Sequence, residues 1–138
     1  MASRGFTLLE LMVVLAIAAI LTMLSAWLYR DEQVRADRGA VAALLQHDAV
    51  FLEAYYSQRG GYKETASRWP ALPYTQHPEQ GAARYTIGFA ATARNTDNGY
   101  FVLRATATDG LLGYVELTQT GIMKYCAPDG SKERCRLL

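Results

Sequence analysis

The chain has 138 residues, 51% of them hydrophobic and 20% charged, and its 14 Lys plus Arg against 13 Asp plus Glu leave a formal charge of +1. That length suits one domain, and that balance excludes attraction to nucleic acid through bulk charge while leaving room for a local basic patch. Two Cys and two His are too few good ligands for a dedicated Cys/His zinc site.

The charge is unevenly spread. Leu11 to Tyr29 carries none in 19 positions, whereas Arg30 to Leu138 holds 13 Lys plus Arg and 12 Asp plus Glu. As a helix the apolar run spans roughly 28 Å, the hydrocarbon thickness of a bilayer, so it predicts an inserted helix. Ahead of it stands a short basic segment ending in glycine, Met1-Ala-Ser-Arg-Gly5. A cleaved secretory signal puts its small residues after the apolar core, not before it. Glu10 sets a carboxylate five positions into the apolar segment that opens at Phe6. Such a charge costs about 2.5 kcal/mol or more on insertion scales, which calls for a partner and a task. Trp27 and Tyr29 read as interfacial aromatics at the far end.

The run Gly5-Phe-Thr-Leu-Leu-Glu10-Leu-Met-Val-Val-Leu-Ala-Ile-Ala-Ala-Ile-Leu21 resembles the amino terminus of type IV pilins. The resemblance implies a leader at 1–5, a membrane and filament-core helix at 6–29 and a soluble pilin domain at 30–138. It implies that a prepilin peptidase cuts after Gly5 and methylates Phe6. It also implies that Glu10 faces the amino-terminal ammonium of a subunit in the filament, a pairing that compensates two charges in an apolar core. The partners would be other pilin subunits, the assembly machinery and, before assembly, the inner membrane, which the chain crosses once. After assembly it would stand in an extracellular or periplasmic filament. Pseudopilins of type II secretion share this start. The helix-breaking Pro and the internal Gly common in such pilins are replaced here by Trp27 and Ala19.

Past the stem, Val34, Val41, Leu44, Leu45, Phe51, Leu52, Tyr55 and Tyr56 recur at helical spacing with charges between them, so the helix continues to Arg59-Gly60-Gly61. Tyr62 to Arg84, with Pro70, Pro73 and Pro78, reads as a connecting loop in which Trp69, Leu72 and Tyr74 plug onto the core. Tyr85–Phe89, Tyr100–Thr108, Tyr114–Thr118 and Ile122–Tyr125 read as four antiparallel strands, with Asn98-Gly99, Asp109-Gly110 and Thr120-Gly121 as turns. Alternation puts Phe101, Leu103, Ala105, Val115, Leu117, Met123 and Tyr125 on the helix-facing side, and Tyr100, Val102, Arg104, Glu116, Ile122 and Lys124 outside. The fold class is α+β: the type IV pilin fold, a long amino-terminal helical spine on a four-stranded antiparallel sheet.

Cys126 and Cys135 lie in a domain that the pilin leader sends into an oxidising compartment, which predicts a disulfide. The pilin resemblance implies the same, a staple of the carboxy-terminal region. No Gly-x-Ser-x-Gly, P-loop or His-Glu-x-x-His motif is present, and His47 and His77 read as surface or packing residues. The reading is therefore no enzyme, no cofactor and no metal.

A narrower resemblance rests on Ala42-Ala-Leu-Leu, the run Phe51 to Tyr56, Gly61-Tyr-Lys-Glu-Thr-Ala-Ser-Arg-Trp-Pro-Ala-Leu-Pro73 and the ending Cys135-Arg-Leu-Leu138, which are similar to the competence pilins, ComP. A wider group of minor pilins similar to PilE shares parts of this pattern. The competence pilins imply double-stranded DNA as a partner in natural transformation, held by a basic stripe across the sheet. Arg104 matches a basic position of that stripe, whereas Gly88 and Glu116 fall where that family shows basic residues. Further candidate cations are Lys63, Arg68, Arg84, Arg94, Lys124, Lys132, Arg134 and Arg136. From Ala54 to Leu138 there are ten Lys plus Arg against seven Asp plus Glu. By strand alternation Arg104 and Lys124 neighbour Glu116, so a cross-strand ion pair competes with a DNA contact. The alternative function is a structural or adhesive minor pilin, or a pseudopilin, without DNA binding.

Overall fold

The computed structural model describes residues 5–138; residues 1–4, most of the expected leader, lie outside the described residues. One helix, α1, runs Leu8–Arg59. At its start the Thr7 hydroxyl accepts the Glu10 backbone N–H at 3.2 Å, the first half of a Thr-x-x-Glu capping box. The side chains from Phe6 to Tyr29 are exposed. The helix holds a stretch of mean hydropathy 2.5, long and apolar enough to cross a membrane. Within it the Thr22 and Ser25 hydroxyls donate back to the carbonyls of Ala18, Ala19 and Leu21, so these polar atoms are satisfied without water. The helix stops where predicted: Gly60 takes a φ of 75° and its N–H donates to the Tyr56 carbonyl at 2.7 Å. Residue contacts divide the chain into two compact units, the second of which is Asp37–Leu138.

That second unit holds a sheet with six strands among the described residues, in the order β1-β2-β3-β4-β5-β6, every neighbouring pair antiparallel. They are β1 Gln76–His77, β2 Tyr85–Phe89, β3 Val102–Ala107, β4 Tyr114–Thr118, β5 Met123–Asp129 and β6 Lys132–Leu137. The four expected strands are present, and two more extend the sheet at its edges. Strand β1 is a two-residue pairing inside the proline-rich loop. Strand β6 is exposed along its whole length, so no apolar alternation marks it, and β5 runs past Tyr125 to pair with it. Gly130, at φ 65°, turns that terminal hairpin. The Cys126–Cys135 disulfide joins residues directly opposed across it.

The connection from β2 to β3 is not the tight hairpin that Asn98-Gly99 suggested. It passes through a 3-10 turn at Ala93–Asn95. Asn98 accepts the Tyr62 N–H through its carbonyl at 3.0 Å and the Lys63 N–H through its side chain at 3.2 Å. The Asn there docks the chain leaving α1 against the loop, a long-range task that resembles a turn signal in sequence.

The helix-facing side of the sheet follows the predicted alternation. Phe101, Leu103, Ala105, Val115 and Leu117 are buried with Val41, Leu45 and Leu52 of α1, and Met123 and Tyr125 pack at the margin. Trp69 stacks on Phe89 with ring centroids 4.3 Å apart, and its indole N–H donates to the Ala91 carbonyl at 2.8 Å. Leu72 and Tyr74 also pack on the core, so the loop is plugged as expected. Asp48 of α1, fully buried, accepts the Tyr74 N–H at 3.1 Å and ties the loop to the helix.

Candidate nucleic-acid interface

Three strands build the centre of the outer face. Arg104 on β3 and Lys124 on β5 stand in register on either side of Glu116 on β4. The Arg104 guanidinium donates from Nε and Nη2 to Glu116 Oε1 at 2.8 and 2.5 Å, and Lys124 Nζ reaches Oε2 at 2.8 Å. Glu116 is only 5% exposed. Burial alone would raise its carboxyl pKa, but the hydrogen bonds and charges of Lys124 and Arg104 outweigh that and hold it below the ordinary value. The hydrogen bond to Glu116 in turn raises the Lys124 ammonium. Two cations on one carboxylate leave the cluster at +1, as the ion-pair reading expected.

The arrangement still presents cations to solvent, since the side chains of Arg104 and Lys124 are 37% and 38% exposed. Arg104 also lies over the Tyr114 ring, 4.2 Å from its centroid, which fixes the plane of the guanidinium. Burial raises the Tyr114 hydroxyl pKa, with a hydrogen bond to Glu133 adding to the effect. Gly88 is the register partner of Arg104 on β2, and no atom lies within 4 Å of where a Cβ would stand. Its missing side chain opens a groove of about 300 Å³, lined by Thr86, Gly88, Arg104 and Thr106 among others. Where a basic residue was expected by resemblance, this chain has open backbone beside an arginine.

The remaining candidate cations do not join this cluster. Arg84 donates from Nε and Nη2 to the two carboxylate oxygens of Asp37 at 2.7 and 2.6 Å, and His77 reaches the same carboxylate at 3.2 Å. Burial raises the Asp37 pKa, yet the bonds from Arg84 and His77 prevail and it lies below the ordinary value. Arg68 pairs with Glu64 at 2.7 Å, Lys63 donates to the Thr96 carbonyl, and Arg94 is exposed on the 3-10 turn. Lys132, Arg134 and Arg136 stand opposite Asp129, Ala127 and Tyr125, on the other face of the sheet from Arg104. Arg134 is held by Asp129 at 2.6 Å. Cys126, Cys135 and Glu133 come together, but the disulfide leaves no thiolate to hold a metal.

Sequence reasoning missed Asp37, Arg38 and Tyr114. Asp37 and Arg38 looked like charges on the solvated side of a helix, and Tyr114 like an ordinary strand residue. No local spacing distinguishes them, because their partners lie far away in the chain.

Comparison with known proteins bears on this geometry. The model of the family described as the type IV minor pilin ComP, DNA uptake sequence receptor, matches residues 28–126. That of the prokaryotic N-terminal methylation motif matches residues 1–26. The chain is 30% identical over 121 residues to the fimbrial protein EcpC of Eikenella corrodens, covering 88% of this chain and 67% of that one. The solution NMR structure of the minor DNA-uptake pilin ComP from Neisseria subflava is similar with a TM-score of 0.51, at 26% identity, over 73% of this chain and 93% of that chain. An apolar helix with the methylation motif, an antiparallel sheet closed by a disulfide hairpin and a family match over most of the chain lead to one conclusion: this chain belongs to the ComP family of type IV minor pilins.

Proposed function

We propose that this pilin captures double-stranded DNA on the outer face of its sheet, as part of a pilus that serves natural transformation. The observation that carries the reading is the Arg104–Glu116–Lys124 cluster beside the open Gly88 groove. Glu116 holds both cationic heads at fixed positions, so little side-chain entropy is lost when a phosphate meets them. The same carboxylate lowers the local charge and keeps backbone affinity modest, while the groove lets a backbone or base edge approach the sheet closely.

Maturation follows from the amino terminus. In this reading the leader is cut after Gly5, Phe6 becomes the methylated first residue, and the apolar helix holds the chain in the inner membrane until assembly. Glu10 then pairs with a subunit's terminal ammonium. Glu10→Ala would leave that ammonium unpaired in an apolar core, so the variant is processed but assembles poorly. Mass analysis of filament protein beginning at Met1 or Ala2 would refute the cleavage.

The DNA reading is tested with the full chain in detergent micelles, by measuring duplex affinity against salt. Each phosphate contact contributes a slope of about 0.9 in log affinity against log salt. Arg104→Ala weakens binding and lowers the slope by about one contact. Glu116→Gln, which removes a repulsive charge, strengthens binding. If the cluster only holds the sheet together, both variants lose stability and bind DNA as the parent does, and the outer face has no DNA role.

A further inference from the structure

Strand β6 alternates Lys132, Glu133, Arg134, Cys135, Arg136 and Leu137. Opposed residues of an antiparallel pair share a face, and Tyr125, opposite Arg136, packs against the core. Lys132, Arg134 and Arg136 therefore stand on the helix-facing side of the hairpin. There Arg134 and Arg136 share a groove with Arg38 of α1, whose guanidinium lies 3.9 Å from the centroid of the Tyr125 ring; that of Arg136 lies 5.5 Å from the same centroid. Arg38, Tyr125, Pro128, Asp129, Arg134 and Arg136 line a groove of about 460 Å³.

Three arginines against one aspartate leave this groove an excess of positive charge, and Asp129 is already engaged by Arg134. On its buried side the Arg38 guanidinium acts on the Tyr85 hydroxyl, and the Tyr125 ring lies against its face, so the side chain is held in place where it lines the groove. The Tyr125 hydroxyl donates to the Leu112 carbonyl at 2.9 Å, so the ring that both guanidiniums approach is fixed. Guanidinium forks match planar pairs of oxygens on carboxylate or phosphate. A carboxylate fills one fork and offsets one charge. A phosphate group carries up to about two charges and three acceptor oxygens when esterified, enough to engage Arg38 and Arg136 together.

We propose that this groove is a binding site for a phosphate dianion, taken either as free inorganic phosphate or as a phosphomonoester. It lies on the face of the sheet opposite Arg104, so it stands or falls separately from the DNA reading. The test follows the arginine Nε–Hε resonances of the full chain in micelles as inorganic phosphate is added at constant ionic strength. The expected result is a saturable shift of the Arg38 and Arg136 signals. Arg136 is on an exposed edge strand, so Arg136→Gln keeps the fold and weakens phosphate roughly tenfold or more. Arg104→Ala leaves phosphate binding unchanged. A second arm with phenyl phosphate separates the sources: tighter binding than inorganic phosphate assigns the site to an ester, and weaker binding assigns it to the free ion. Shifts that do not saturate, that chloride reproduces at equal ionic strength, or that survive Arg136→Gln at parental affinity overturn the site.

Discussion

Replacing Asp48 by Asn should remove a pH dependence that the fold imposes. The carboxyl is fully buried on α1, and one oxygen accepts the Tyr74 N–H while the other has no hydrogen-bond partner among the described residues. Burial pushes its pKa from 3.8 up to about 6, against smaller opposing effects from the Tyr74 N–H and from neighbouring His47. The folded state therefore holds this proton more tightly than the unfolded one, and stability falls as pH rises through the window from 3.8 to about 6. Above that window the ionised carboxylate costs about 3 kcal/mol, of which about 2 kcal/mol is recovered on acidification from about pH 7 to pH 4.5. Asn keeps the acceptor for Tyr74 and removes the charge, but buries an unpartnered NH₂ at about 1–3 kcal/mol. At neutral pH the variant is thus equal to the parent or up to about 2 kcal/mol more stable. The decisive quantity is the change with pH: between pH 7 and 4.5 the parent gains about 2 kcal/mol relative to Asp48→Asn. Urea unfolding of the micelle-held chain, followed by near-ultraviolet circular dichroism with the disulfide intact, measures it. Because His47 neighbours this carboxylate, the comparison is repeated in a His47→Gln background. Parallel stability curves for parent and variant would refute the argument.

Asp37→Asn strips Arg84 and His77 of their carboxylate and should lower stability at neutral pH by on the order of 1–2 kcal/mol, discounted because Arg84 is partly exposed. Its folded pKa is depressed, so the stability it contributes is present above 3.8 and is lost as pH falls through the lower folded value; the variant should lack that acid-side loss. Replacing Cys126 and Cys135 together by Ser opens a short loop and should cost about 2–3 kcal/mol, while thiol titration of the unfolded, unreduced parent finds no free thiol. Trp69→Ala removes the stack on Phe89 and the bond to Ala91; chemical denaturation should show a loss of about 2–4 kcal/mol.

Much of this molecule was legible before any coordinates, and the legible parts share a physical cause: they depend on neighbours in the chain. An uncharged run long enough to span a bilayer, paired glycines after a helical apolar period, and strands that alternate between core and solvent all announce themselves locally, so α1, its end at Arg59, β2, β4 and the buried face were readable. The disulfide was readable because two cysteines, in a domain whose leader resemblance implies an oxidising compartment, have one pairing. Strand alternation also made the outward Arg104–Glu116–Lys124 neighbourhood readable. The fate of the other cations was not. Charge counting placed Arg84, Lys132 and Arg134 in the same pool, and folding sorted them. Asp37, 47 residues away in sequence, takes Arg84, and the register of β6, a strand with no apolar alternation to reveal it, turns Lys132, Arg134 and Arg136 to the face opposite Arg104. Where a strand carries no apolar alternation, or a partner lies far along the chain, the placement of a charge is set by long-range pairing, and only the folded chain holds that information.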